Sequence, residues 1–107
     1  MNITYNYSDW YYEPGVFPSF PDDRFYHGRS GIRAIYGMTG AESIPVLKHA
    51  ISVLEGMDKD LPEWEVKKYK GRGVDDYWIP TRQNAIRPLY QLLALAEMRP
   101  EGIFDGD

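Results

Sequence analysis

Two stretches of the chain carry apolar residues at helical spacing. In GAESIPVLKHAISVLEGM, Ile44, Leu47, Ile51 and Leu54 fall on one stripe, and Val46, Ala50 and Val53 widen it. Steps of three and four residues mark a helix with one buried face, and a face this wide asks for cover on two sides. Two start signals compete. Thr39 and Glu42 have capping-box spacing, whereas Pro45 suits a first turn that begins at Ser43. We place the start near Ala41, with Gly56 closing the helix. The second stretch follows Pro80. Thr81 is its expected N-cap, and Ile86, Leu89, Leu93 and Ala96 share a face with Ala85 and Leu92. Pro88 lies inside this pattern. It deletes the hydrogen bond to the Asn84 carbonyl and its ring crowds that turn, which predicts a kink with the Asn84 side chain near the freed groups. Pro100 disfavours helical geometry at Arg99 and ends the helix.

The remaining elements are shorter. Asp60 and Glu63 repeat the capping spacing, with Pro62 in the first turn, which predicts a helix over residues 61–69 ended by GRG at 71–73. Ile32, Ile35 and Tyr36 fit one short helix behind Ser30. At the N-terminus, Ile3, Tyr5 and Tyr7 alternate with Asn2, Thr4 and Asn6, the period of a half-buried strand. Between Asp9 and Arg29, Pro14, Pro18 and Pro21 forbid regular structure and leave an irregular aromatic loop. The apolar pair Ile103 and Phe104 pairs as an edge strand with the N-terminal strand or packs as coil. The sum is an α+β class, mostly helical: two long amphipathic helices and one or two short ones packed with a small N-terminal β element. It forms a single domain over 1–107, with an aromatic strand-plus-loop region (1–37) and a helical region (38–107). The expected core is Ile3, Tyr5, Leu47, Ile51, Leu54, Trp64, Trp78, Ile86, Leu89, Leu92, Leu93 and Phe104.

Composition narrows the function classes. The chain has 107 residues, 43% hydrophobic and 26% charged, as befits one soluble domain. Without cysteine there is no disulfide framework, thiolate zinc site or cysteine nucleophile. Twelve Lys+Arg against 16 Asp+Glu give a net charge of −4, which provides no field to hold a nucleic acid backbone without sequence preference. No apolar run approaches the ~18–20 residues of a membrane span. The opening residues lack the basic region and apolar stretch of a secretory signal, so a cytoplasmic location is expected. Ten of the sixteen aromatics lie in the first 36 residues. Most should be core, with a few exposed as interface anchors.

Candidate chemistry is sparse. Asp22, Asp23 and His27 share a loop and His49 lies on the first long helix, but metal sites need three or four converging ligands. A solvated loop explains the group better, and no metal or cofactor is expected. Asp75–Asp76 and Asp105–Asp107 lack the spacing of a calcium loop. No serine sits in an elbow motif, and nothing orients Glu13 against His27 as acid and base. GRSG at 28–31 sets Arg29 between glycines before a helix start, a shape that can hold an anion on backbone N–H groups. KKYKGR sets Lys67, Lys68, Lys70 and Arg72 around Tyr69, a pattern that can grip a single strand by charge and stacking. Acidic residues 58–65 flank it, so a solvated helix end is the plainer reading.

The segment DDYWIPTRQNAIRPLYQLLALAEMRPEGIFDGD, together with ITYNYSDWY and GAESIPVLKHAISVLEGM, resembles a group of small uncharacterised phage and prophage proteins. Shared features are an aromatic pair, a threonine cap, Asn-Ala, a leucine-rich helix and a terminal segment after proline. Pro88 departs from the group's Ala-like residue. The resemblance implies a phage origin and supplies no activity. Three functions are therefore weighed. The first is a phage-encoded, non-enzymatic protein that binds a host or phage protein in the bacterial cytoplasm, inhibition of a defence system such as CRISPR-Cas being its sharpest form. Its contact residues would be Trp10, Tyr11, Tyr12, Asp22, Asp23, Asp75 and Asp76, an acidic surface that speeds encounter with a basic partner. The second is ligand or nucleotide binding by the aromatic loop with Arg24, Arg29 and Arg33. The third is single-strand binding through Lys67, Lys68, Tyr69, Lys70 and Arg72. Membrane contact is not expected, nucleic acid is disfavoured and self-association is left open.

Overall fold

Where apolar spacing is strongest, helices form close to the expected limits. The computed structural model describes residues 9–24 and 28–105. Helix α1 spans Gly40–Glu55. Thr39 caps it through a complete box: its Oγ1 accepts from the Glu42 N–H at 3.1 Å, and the Glu42 carboxylate accepts from the Thr39 N–H at 2.9 Å. The box therefore prevails over the proline signal. Pro45 becomes the sixth residue of the helix, where its missing N–H withdraws the donor for the Ala41 carbonyl. Gly56 follows at the C-cap with φ −88°, in right-handed geometry. The final carbonyls of α1 are met from elsewhere: Arg82 Nη1 donates to the Leu54 carbonyl at 2.6 Å and to that of Glu55 at 3.2 Å.

Helix α2 runs Glu63–Gly71 and buries none of its residues. It starts two residues later than expected because Asp60 is committed elsewhere. Asp60 Oδ1 accepts from the N–H groups of Leu61 at 2.7 Å and Arg82 at 2.9 Å. Helix α3 runs Arg82–Met98, with Thr81 Oγ1 accepting from the Asn84 N–H at 3.2 Å. It continues through Pro88. The Asn84 amide does not turn toward the proline gap. It donates to the carbonyls of Asp76 and Ile79 at 2.6 and 2.7 Å and so ties the preceding loop to the helix start. Two short 3₁₀ helices, Gly31–Ile35 and Asp76–Trp78, lie on the connections.

Helices α1 and α3 pack on each other. Leu47, Ala50, Ile51 and Leu54 meet Ala85, Ile86, Leu89 and Ala96, and the cluster is closed by Tyr11, Val16 and Ile35 from the first third of the chain. Leu92, Leu93 and Phe104 pack at its margin. Each large apolar side chain fully withdrawn from water contributes about 1.5–3 kcal/mol. The Tyr11 hydroxyl donates to the Ala85 carbonyl at 2.7 Å, and the Trp10 indole donates to the Pro80 carbonyl at 3.0 Å. These two bonds pin the helical turn at residues 9–11 to the start of α3. The tail folds back on α1. The N–H of Gly40 donates to the Gly102 carbonyl at 2.8 Å, and that of Ala41 to the Pro100 carbonyl at 2.9 Å. Two of the donors that a helix N-terminus leaves unpaired are thereby satisfied by residues some sixty positions away. Gly40 is needed here: a Cβ would stand 2.4 Å from the Arg99 carbonyl oxygen.

Two expectations are corrected. The fold is helical and not α+β. Among the described residues, β pairing is confined to two isolated antiparallel bridges, Phe20–Arg29 and Thr39–Ile103. The tail thus pairs with the lead-in to α1. The strand expected over residues 2–7, with Ile3 and Tyr5, lies outside the described residues. Second, Trp64 and Trp78 are 65% and 44% exposed and are not core. Trp64 stands among Glu63, Glu65, Lys67 and Lys68 on a helix without a buried face. Trp78 sits in a single 3₁₀ turn, edge-on to Tyr77 at 5.2 Å between centroids. Among the described residues, no helix is long and apolar enough to cross a membrane.

Candidate interaction surfaces

Two of the three arginines proposed for anion binding, Arg24 and Arg29, are drawn into one ion cluster around Asp22. Arg24 faces Asp22 side-on, with Nη2 2.9 Å from Oδ2 and Nε 3.1 Å from Oδ1, and its backbone N–H donates to Oδ1 at 3.0 Å. Arg29 Nε stands 3.4 Å from the same carboxylate. Arg29 Nη1 donates to the Tyr36 carbonyl at 2.6 Å, and its guanidinium lies over the Phe20 ring at 5.1 Å. The hydrogen bonds from the Arg24 side chain and backbone hold the Asp22 carboxyl down at about 2, and Asp22 in turn holds the Arg24 guanidinium above its ordinary value. Gly28, at φ +68°, lets the chain close against Phe20, whose carbonyl oxygen a Cβ would meet at 2.5 Å. The GRSG segment therefore builds the Phe20–Arg29 bridge, and two of the three arginines are engaged by Asp22. Arg33 is half-buried on the adjoining 3₁₀ helix.

The seven residues expected at a partner surface are not all at the surface. Tyr11 is buried and belongs to the core. Tyr12 is exposed, its ring lying over Gly31. Trp10 is half-buried. Asp22 is paired as described, and Asp23 is exposed. Asp75 caps the second 3₁₀ helix through the Tyr77 N–H, and Asp76 lies 3.7 Å from Lys70. No hydrogen bond or ion pair among the described residues joins the two aspartate pairs. His49, on α1, bonds the Gly15 carbonyl at 2.9 Å. Described His, Asp and Glu residues form no group of three suited to a metal, and His27 lies outside the described residues.

In the basic segment, Lys67 lies 3.7 Å from Glu63 one turn earlier, and Lys70 faces Asp76. Lys68, Tyr69 and Arg72 line a shallow depression of about 300 Å³ together with Glu65. Such exposed pairs contribute little stability, but they interleave the cations with carboxylates and break up the positive strip.

A second depression, of about 380 Å³, was not foreseen. Its walls come from the turn at 9–13, the connection at 59–62, α2 and Pro80. It gathers Asp9, Glu13, Asp60 and Glu65 with Trp10 and Tyr69. Residues 58–65 are visibly acidic, but nothing local announces that Asp9 and Glu13 join them. Lys59 Nζ reaches Glu13 Oε1 at 2.6 Å across 46 positions. A third surface holds Tyr77, Trp78 and Arg87, whose guanidinium lies 5.6 Å over the Tyr77 ring. Compared with known proteins, the chain matches no family model, no curated protein and no solved structure.

Proposed function

We propose that the chain is a binding protein that acts by contact with another protein. The observation that carries this reading is the display of large aromatics the core does not use: Tyr12, Trp64, Tyr77, Trp78 and Tyr90 are all exposed. Aromatic and arginine side chains are the residues most often found at interface hot spots. Tyr77, Trp78 and Arg87 form a contiguous set already ordered by ring and cation contacts, so little side-chain freedom is lost on docking. A phage-encoded protein directed at a component of a bacterial defence system is the sharpest form of the reading, and its support is the sequence resemblance. The test is capture from a bacterial host lysate by the immobilised chain and by a Tyr77→Ala/Trp78→Ala variant with unchanged circular dichroism. A specific protein retained by the first and lost by the second supports the reading. Capture that ignores the substitutions, or no specific capture, refutes it.

A further inference from the structure

The groove beside Trp10 offers a different chemistry from the exposed ring patch. Asp9, Glu13, Asp60 and Glu65 line it, with the rings of Trp10 and Tyr69. Lys59 supplies a single ammonium, so three negative charges remain in excess. The chain already demonstrates that a cation settles here, since Lys59 Nζ lies 2.6 Å from Glu13 Oε1 while the lysine side chain stays 60% exposed. One Asp60 oxygen is used by the N–H groups of Leu61 and Arg82. The side chains of Asp9 and Glu65 make no hydrogen bond or ion pair among the described residues. The Trp10 indole is held by the Pro80 carbonyl, which fixes its ring at the groove edge.

Carboxylates next to aromatic faces favour guanidinium and ammonium groups, through charge-assisted hydrogen bonds and cation–π attraction. A planar guanidinium adds bidentate geometry that an ammonium lacks. At about 380 Å³ the groove is at the small end of ligand-sized pockets, with room for a side chain and not for a helix. We propose that this groove docks an extended, arginine-bearing segment of a partner protein, whose guanidinium enters beside Trp10 and displaces Lys59 from Glu13. The charge complementarity names the occupant, and Lys59 acts as a resident competitor for it.

The test uses a Trp64→Phe/Trp78→Phe background. Both tryptophans are exposed, and their removal leaves Trp10 as the only one of three. It also removes the two tryptophans from the exposed aromatic set, so the two proposals fail separately. An acetylated and amidated peptide Gly-Arg-Gly-Arg-Gly is titrated at low salt. Trp10 emission should change saturably, and the affinity should fall as salt rises. Lys59→Gln should tighten binding several-fold, and Asp9→Asn/Glu65→Gln should weaken it about tenfold, each with unchanged circular dichroism. Four results overturn the proposal: no saturable change, an equal response to the glutamate counterpart or to spermidine, an affinity indifferent to Lys59→Gln, or low-salt self-association lost on Glu65→Gln. The last would make a second copy the occupant.

Discussion

Replacing Gly40 with alanine strikes the joint between the tail and the first turn of α1. The new methyl would stand 2.4 Å from the Arg99 carbonyl oxygen, 2.8 Å from that of Ala96 and 3.0 Å from the Pro100 Cα. All three are backbone atoms, so no rotamer change relieves the clash. The tail must retreat, and with it go the bonds from Gly40 to Gly102 and from Ala41 to Pro100. Each contributes about 0.5–1.5 kcal/mol, and overpacking adds about 1–3 kcal/mol. Alanine's better helix propensity offsets about 1 kcal/mol. The expected net loss is about 3 kcal/mol, a fall in Tm of roughly 12 °C or more. Thermal unfolding followed by far-UV circular dichroism measures it, with the urea midpoint as a second readout. Gly71→Ala is the control, since nothing lies within 4 Å of a Cβ there. It should leave Tm unchanged or raise it slightly. A Gly40→Ala protein as stable as the parent, or a larger loss from Gly71→Ala, would refute the reasoning.

Other substitutions probe the remaining joints. Arg82→Ala removes the donors to the Leu54, Glu55 and Lys59 carbonyls and should cost about 2–3 kcal/mol in urea unfolding. Arg82→Lys should not restore it, because one ammonium cannot reproduce the planar fork. Asn84→Leu leaves the Asp76 and Ile79 carbonyls without their side-chain donor and should cost about 1–3 kcal/mol, read from the same midpoints. The Asp22 carboxyl titrates at about 2 in the folded chain against an ordinary 3.8. Its stabilisation is therefore complete above about pH 4 and is lost as the pH falls toward 2. Glu42, held below its ordinary value by the Thr39 N–H, adds loss of the same sign. Asp22→Asn should flatten the acid limb of a stability–pH curve, and an unchanged limb would count against the cluster. The Tyr90 hydroxyl donates to Glu55 at 3.0 Å and titrates above its ordinary value. Glu55→Gln should bring that titration down, seen in the NMR shift of the Tyr90 ring.

What the sequence disclosed was local. The stripes on α1 and α3, the Thr39–Glu42 box and the Thr81 cap are written in residues three or four apart, and they form as written. Leu47, Ile51, Leu54, Ile86 and Leu89 are buried because that spacing directs them inward. What escaped is long-range. Asp60 has the spacing of a cap for Glu63, yet a backbone N–H 22 positions away claims it. Asn84 sits one turn before Pro88, yet its amide serves the loop behind it. Tyr11 reads like its neighbour Tyr12, yet its hydroxyl reaches the Ala85 carbonyl and its ring packs into the core, while Tyr12 is exposed. Aromatic type alone suggests core, whereas Trp64 has only Leu61 as an apolar neighbour at helical spacing, and the helix begins after that leucine, with Lys67 and Lys68 on the other side. The groove combines both failures. Half of its carboxylates lie in a visible acidic run, and the other half arrive from the turn at residues 9–13.

The tail's grip on α1 bears on how the chain is made. At a ribosomal pace of ~5–20 residues per second, the carbonyls of Pro100 and Gly102 emerge ~3–12 s after the residues they complete. During that interval the first turn of α1 has its threonine cap but not its partners. A nascent chain arrested before Pro100 should thus leave the Gly40 and Ala41 N–H groups open to solvent exchange, while Leu47, Ile51 and Leu54 already have their partners on α3.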